Sequence, residues 1–388
     1  MLGRIPLNKR VLFCTAMAAA PLGMAGAVGA APAYTLTGLT IAPGDASYAS
    51  GININGEVVG DAVSASGYQY ATTSNGGAMS SLATSGGGGS YMASAVNDSG
   101  QIAGQSDIAR NLIQALLWTS TGVKDLGTLG GTNSWAAGIN NSGQVVGAAE
   151  TNNINGFFYA FLWTASAGMQ NLGGMGGTGG GSYATAINSA GAVVGGAAPA
   201  GTSPYPHAFL WTAAGGMQDL GTFGGDSSYA YSINTSGEVV GEANTSLNGH
   251  AFLWVKGGTG GPAGNPQMQD LGTLGGAYSA AYGINDSGGV VGVSMDANNS
   301  AQHAFIWTSS SGMQDLNALI PSGTGWTLTA ANGINANGDI VGYGTNPSGV
   351  KEAFLLTPVP EPTALALFAL GFAGLALKRR KHSKCTAA

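Results

Sequence analysis

A nine-residue phrase, clearest at Ile233-Asn234-Thr235-Ser236-Gly237-Glu238-Val239-Val240-Gly241, limits what this chain can become. The pattern (Ile-Asn, two residues, Gly, one residue, two apolar residues, Gly) also begins at Ile52, Val96, Ile139, Ile187, Ile284 and Ile334. Successive starts lie 43 to 51 residues apart by residue number. A period of roughly 40–50 residues marks a repeat architecture, in which one small unit is copied and stacked. The phrase reads as a β-hairpin. Asn, Ser and Gly supply the turn, with Gly at positive φ, and Ile before and Val-Val after prefer strand. Glycan sequons at Asn140, Asn234 and Asn285 read as turn chemistry, since the turn already needs those residue types.

Each repeat carries further strand-like pieces. A polar loop of variable length follows Val-Val-Gly. Then comes Ala-Phe-Leu-Trp, at Ala160–Trp163, Ala208–Trp211 and Ala251–Trp254, with variants starting at Ala115, Ala304 and Ala353. Phe and Trp point to one side and Ala and Leu to the other, so this strand is expected to be buried on both faces. Met-Gln-Asp-Leu follows, at Met217, Met268 and Met313, with mixed polarity that suits an outer strand. Four strands in seven repeats make twenty-eight. A lone four-stranded sheet with two apolar faces is not stable. Sheets stacked face to face around an axis are, and the chain is therefore expected to form an all-β, seven-bladed β-propeller over residues 34–357.

The series from Ala-Phe-Leu-Trp through Gly-Met-Gln-Asp-Leu-Gly to Ile-Asn resembles the HAF extracellular repeat. His-Ala-Phe itself stands at His207, His250 and His303. The strand order is also similar to kelch repeats, although one Gly usually follows Val-Val, Gly195-Gly196 being the exception. The kelch order implies that the Ile-Asn strand is innermost and the Met-Gln-Asp-Leu strand outermost. Tyr34-Thr35-Leu36-Thr37-Gly38-Leu39 matches an outer strand, and the final repeat ends at Ala353-Phe354-Leu355-Leu356 without one. The first strand is thus expected to close the last blade.

Charge narrows the partners. Only 8% of the 388 residues are charged. Between Tyr34 and Thr357 the basic residues are Arg110, Lys124, Lys256 and Lys351; the other eight lie at the two ends. An acidic body without a basic stripe argues against nucleic-acid binding. Cys14 and Cys385 lie outside the body, which leaves no disulfide framework or cysteine metal site.

The ends read as addresses. Arg4, Lys9 and Arg10 precede the apolar run from Val11 to Ala20, and small residues lead to Ala31-Pro32-Ala33. This is the order of a secretory signal peptide over residues 1–33, a signal helix with cleavage expected after Ala33, or after Ala30. At the other end Pro360-Glu361-Pro362 precedes an uncharged stretch, 363–377, and the cluster Lys378-Arg379-Arg380-Lys381. A fifteen-residue helix spans about 22 Å, short of a hydrocarbon core of ~30 Å, so flanking residues or local thinning must help it span. The basic cluster would remain cytoplasmic and leave the body outside. Residues 358–388 resemble the PEP-CTERM sorting signal. That resemblance implies processing by an exosortase-type enzyme, transient anchoring in the inner membrane, and delivery to the cell surface or extracellular matrix, often beside exopolysaccharide. A permanent single-span anchor is the alternative.

No stretch names a reaction, a cofactor or a metal. Asp125, Asp219, Asp270 and Asp315 recur on outer strands, too far apart on a ring for paired carboxylate chemistry, which needs ~5–10 Å. Glu57, Glu238 and Asp339 follow the hairpin Gly and read as turn residues, with an acidic channel mouth or weak Ca²⁺ site as the sharper alternative. An aromatic precedes each Ile-Asn strand: Tyr48, Tyr91, Trp135, Tyr183, Tyr229, Tyr278 and Trp326. Nearby loops such as Asn152-Asn153-Ile154-Asn155 and Pro204-Tyr205-Pro206 are rich in amides and rings. These aromatics are candidate sugar-stacking residues. The plainer reading has them wedged between blades, and burial decides. The expected function is a non-catalytic exported protein that binds or organises exopolysaccharide or protein partners, the alternative being a carbohydrate-active hydrolase or lyase.

Overall fold

The structure, a computed structural model, describes residues 33–42, 44–83, 90–109, 112–152, 156–176, 180–199 and 205–360. The signal segment up to residue 32, the helix expected at 363–377, and Glu361, Pro362 and Lys378 to Lys381 lie outside these residues. So do Asn153, Ile154, Asn155 and Pro204.

Seven four-stranded antiparallel sheets form a seven-bladed β-propeller. The first strands are Ala46–Ile52, Tyr91–Val96, Gly130–Ile139, Ser182–Ile187, Ser228–Ile233, Gly275–Ile284 and Thr327–Ile334. In six of the sheets all four strands follow chain order from the Ile-Asn strand outward, and in the seventh the first three do. Every first strand packs against the first strands of both neighbouring blades all the way round, which places the Ile-Asn strands innermost. Blade 7 takes its outer strand from the start of the chain. Tyr34–Leu39 pairs antiparallel with Lys351–Pro358, Thr35 opposite Thr357 and Leu39 opposite Ala353.

The repeated phrase builds the same hairpin each time. Gly56 N–H donates to the Asn53 carbonyl at 3.1 Å, Asn53 N–H to the Glu57 carbonyl at 3.0 Å, and Gly56 sits at φ 80°. A side chain is strained in that left-handed region, so the turn selects Gly. The second Gly has a different cause. The first strand bulges between Ala230 and Ser232, and a Cβ on Gly241 would lie 1.9 Å from the Tyr229 carbonyl oxygen.

Blades interlock through the Ala-Phe-Leu-Trp strand. Ala115 and Leu117 of blade 2 share a core with Phe161 and Trp163 of blade 3, and Ala160 and Leu162 share the next with Phe209. Phe161, Phe209, Phe252, Phe305 and Phe354 are all fully buried. Each such ring contributes roughly 1.5–3 kcal/mol by leaving water. In blade 4 Leu210 and Trp211 stay half-exposed. The seam between blades 7 and 1 differs: Thr72 and Ser74 stand where blades 3 to 6 carry Phe and Trp, and Met79 and Ile41 pack there against Val341 and Ala353.

A buried serine staples five seams. Ser134 Oγ accepts the Ala115 N–H at 3.0 Å and donates to the Gly127 carbonyl at 2.6 Å. Ser47, Ser182, Ser228 and Ser279 repeat the arrangement.

Candidate functional site

The strand order gives the ring two unlike faces. One carries the seven tight Ile-Asn hairpins. The other carries the starts of the first strands, the variable loops after Val-Val-Gly and the ends of the outer strands.

The hairpin face is closed by a circuit of asparagines. Asn53 Nδ2 donates to the Asn97 carbonyl, Asn97 to Asn140, Asn140 to Asn188, Asn188 to Asn234, Asn234 to Asn285, Asn285 to Asn335, and Asn335 back to Asn53, at 3.0 to 3.3 Å. All seven are buried. The sequon residues Asn140, Asn234 and Asn285 therefore hold the ring together as well as shape turns. Glu57, Glu238 and Asp339 each accept a hydrogen bond from the Asn of their own hairpin, at 2.6 to 3.2 Å. Among the described residues no three His, Cys, Asp or Glu side chains gather as a metal site.

Three of the four outer-strand carboxylates are tied to histidines, while Asp125 accepts the Gly127 N–H at 2.8 Å. His207 Nδ1 meets Asp219 at 2.9 Å, His250 meets Asp270 at 2.9 Å, and His303 meets Asp315 at 2.6 Å, each within one blade. The three pairs stay on separate blades, and their Asp also caps the following turn, as Asp219 does for Gly221 N–H at 2.7 Å. A groove of about 630 Å³ at His207, Asp219, Phe223, Pro262 and Asn265 separates the rims of blades 4 and 5.

The seven aromatics do not occupy one equivalent position. Tyr48, Trp135, Tyr183 and Tyr229 stand four residues before the Ile of the phrase, Tyr91 five, Tyr278 six and Trp326 eight. Tyr91 replaces the stapling serine of blade 2 and is 1% exposed, inside an interblade core where no ligand reaches. Trp326 packs on the core of the closing blade, beside Gly38. Trp135 leans on Phe158 at 4.8 Å. The other aromatics are half-buried.

Tyr48, Tyr183, Tyr229 and Tyr278 belong to an arc running from blade 4 to blade 1. Three rings outside the expected set complete it: Tyr231 and Tyr282, two residues before their Ile, and Tyr343, just after its Val-Gly. Tyr229 and Tyr231 stack at 6.5 Å, Tyr231 meets Tyr282 edge-on at 5.4 Å, and Tyr343 meets Tyr48 edge-on at 5.1 Å. Tyr231, Tyr278, Tyr282 and Tyr343 share one apolar cluster. The Tyr183 ring lies where a Cβ on Gly196 would fall, which accounts for the Gly195-Gly196 exception.

Glu242 sits against this arc. Its Oε2 accepts from Tyr278 Oη at 2.9 Å and from Tyr231 Oη at 3.5 Å. Burial pushes its carboxyl above the usual glutamate range, and the two hydroxyls only partly offset this. Burial, then the Glu242 charge, pushes the phenols of Tyr231, Tyr278 and Tyr282 upward, so they remain protonated donors. Asp61 holds the equivalent place in blade 1. It too is pushed up by burial, and it accepts from Gln69 Nε2 at 2.8 Å.

Residues 358–381 match the family described as the PEP-CTERM protein-sorting motif. The motif marks an exported protein with a C-terminal sorting signal. No curated protein matches the sequence. Several solved structures are similar in fold. TolB from Acinetobacter baumannii is 11% identical with a TM-score of 0.43, over 78% of this chain and 63% of that one. A puromycin-hydrolyzing peptidase from Mycobacterium tuberculosis is 10% identical with a TM-score of 0.49, over 84% of this chain and 52% of that one. A gluconolactonase from Xanthomonas campestris is 11% identical with a TM-score of 0.39, over 70% of this chain and 90% of that one. This chain thus spans less than two thirds of the first two. Likeness at this level carries nothing about activity.

Proposed function

We propose that the protein is an exported, non-catalytic propeller that binds extracellular polysaccharide on its variable-loop face. The tyrosine arc of blades 4 to 1 is the observation that carries this reading. Half-buried rings beside a carboxylate suit the apolar faces and hydroxyls of sugars, and every loop of variable length opens on the same side. Glu242 beside Tyr229 and Asp61 beside Tyr48 are carried on blades 5 and 1, at opposite parts of the arc, whereas glycosidic hydrolysis ordinarily takes an opposed pair about 5–10 Å apart. This supports reading the protein as a binder without turnover. The repeat is read as HAF type with a kelch-like strand order. The C-terminal motif supports processing by an exosortase-type enzyme, with transient inner-membrane anchoring before release to the cell surface or matrix.

A glycan array probed with the full-length chain, paired with a reducing-end assay on each sugar retained, tests the reading. Retention of at least one polysaccharide class with no new reducing ends is expected. New reducing ends would make the protein a hydrolase, and an array without retention would remove the sugar-binding role.

A further inference from the structure

We infer that the arc around Glu242 is a subsite for an ammonium-bearing saccharide, a hexosamine unit with a free amino group. The inference rests on the polysaccharide-binding reading and names the class of sugar. Tyr231 of the same blade and Tyr278 and Tyr282 of blade 6 form an aromatic cluster around Glu242. Both hydroxyl donors converge on Oε2. Oε1 accepts no hydrogen bond among the described residues, and it lies beside Gly249, where a Cβ would fall 2.4 Å from it. The ion pairs of the described residues are the three His–Asp pairs, so no Lys or Arg there neutralises Glu242.

A half-buried carboxylate with one idle oxygen and no basic partner lacks what an ammonium group supplies, a positive charge with three donors. The surrounding rings add cation–π attraction for the same group. The far end of the arc already receives a cation, since Lys351 Nζ stands 5.9 Å from the centre of the Tyr343 ring. A neutral sugar would leave the Glu242 charge as it is. An anionic sugar would meet it with repulsion, and the net charge of −6 adds to that over the whole chain.

Calorimetric titration of the full-length chain with a glucosamine hexamer and an N-acetylglucosamine hexamer tests this. The free-amine oligomer should bind about tenfold more tightly. Glu242→Gln should abolish that preference while leaving the acetylated oligomer within about twofold. Tyr282→Ala should weaken both, and thermal melting of each variant confirms folding. Equal binding of the two oligomers, or a preference that survives Glu242→Gln, overturns the inference and leaves the saccharide-binding reading standing. Failure of both oligomers alongside an empty glycan array overturns both. Tetramethylammonium competing as strongly as the oligomer would make the site one for small organic cations and overturn the inference.

Discussion

Asn335 donates its side-chain amide to the backbone carbonyl of Asn53 at 3.0 Å, across 282 residues of sequence. The bond is the last link of a circuit that visits every blade, and it joins the end of the ring to its beginning. Within each hairpin the Asn Oδ1 also accepts backbone N–H groups, as Asn188 does from Ala190 and Ala192 at 3.1 and 3.0 Å. Asn188→Ala should therefore leave buried polar groups on both sides of the seam unmet. A loss of about 1–3 kcal/mol is expected, read as a lower urea midpoint at unchanged slope. An unchanged midpoint would mean that the circuit is decorative.

The N-terminal strand closes the wheel. A chain beginning at Thr40 would leave the edge of Lys351–Pro358 unpaired and uncover Leu356, which is fully buried at present. Open edges recruit other chains. Light scattering should show such a chain to be oligomeric, and proteolysis should cut it first in blade 7. A monomer with the native cleavage pattern would contradict the closure.

The serine staple gives a local test. Ser228→Ala removes an acceptor for the Ala208 N–H and a donor to the Gly221 carbonyl, at 2.8 and 2.6 Å. A cost of about 1–3 kcal/mol is expected. His207→Ala should cost less than about 1 kcal/mol, because its pair with Asp219 is partly exposed. Chemical denaturation of both variants checks the order.

The repeat, the blade count, the strand order and the closing strand were legible because turn chemistry and apolar alternation are local. The role of the Ile-Asn asparagines was half legible. A turn residue can be recognised from its neighbours, but its partner stands in the next blade, 44 residues on for Asn53 and Asn97. The aromatics were gathered by proximity to the strand. Counting back from each Ile sets Tyr91, Tyr278 and Trp326 apart from the four at the same offset, although Tyr278 still joins the arc. Tyr231, Tyr282, Tyr343 and Glu242 carry no repeated signal because they break the pattern at their positions. Other copies carry Ser50, Ala137 or Thr185 where Tyr231 and Tyr282 stand, and Ala148 or Gly196 where Glu242 stands. In a repeat chain, departures of that kind are the signal to read.

Acidity should act through Glu242. Its carboxyl is raised in the folded chain, facing Tyr183, Tyr231, Tyr278 and Tyr282, and returns to the ordinary value of 4.5 on unfolding. The folded state therefore takes up the proton first, and the charged form is a cost above the raised value. Glu242→Gln should melt higher than the parent at neutral pH. That difference should shrink as pH falls through the raised value and vanish below 4.5. A difference independent of pH would show that the carboxylate charge costs the fold nothing.

A saccharide should touch the wheel on its variable-loop face, at the tyrosine arc. Hydrogen exchange of the full-length chain, with and without the sugar the array retains, measures this. Protection is predicted in Ser228–Ile233 and Gly275–Ile284, with no change at the hairpins of Asn234 and Asn285 and with the sugar recovered intact. Protection at the hairpins, or a cleaved sugar, would contradict it.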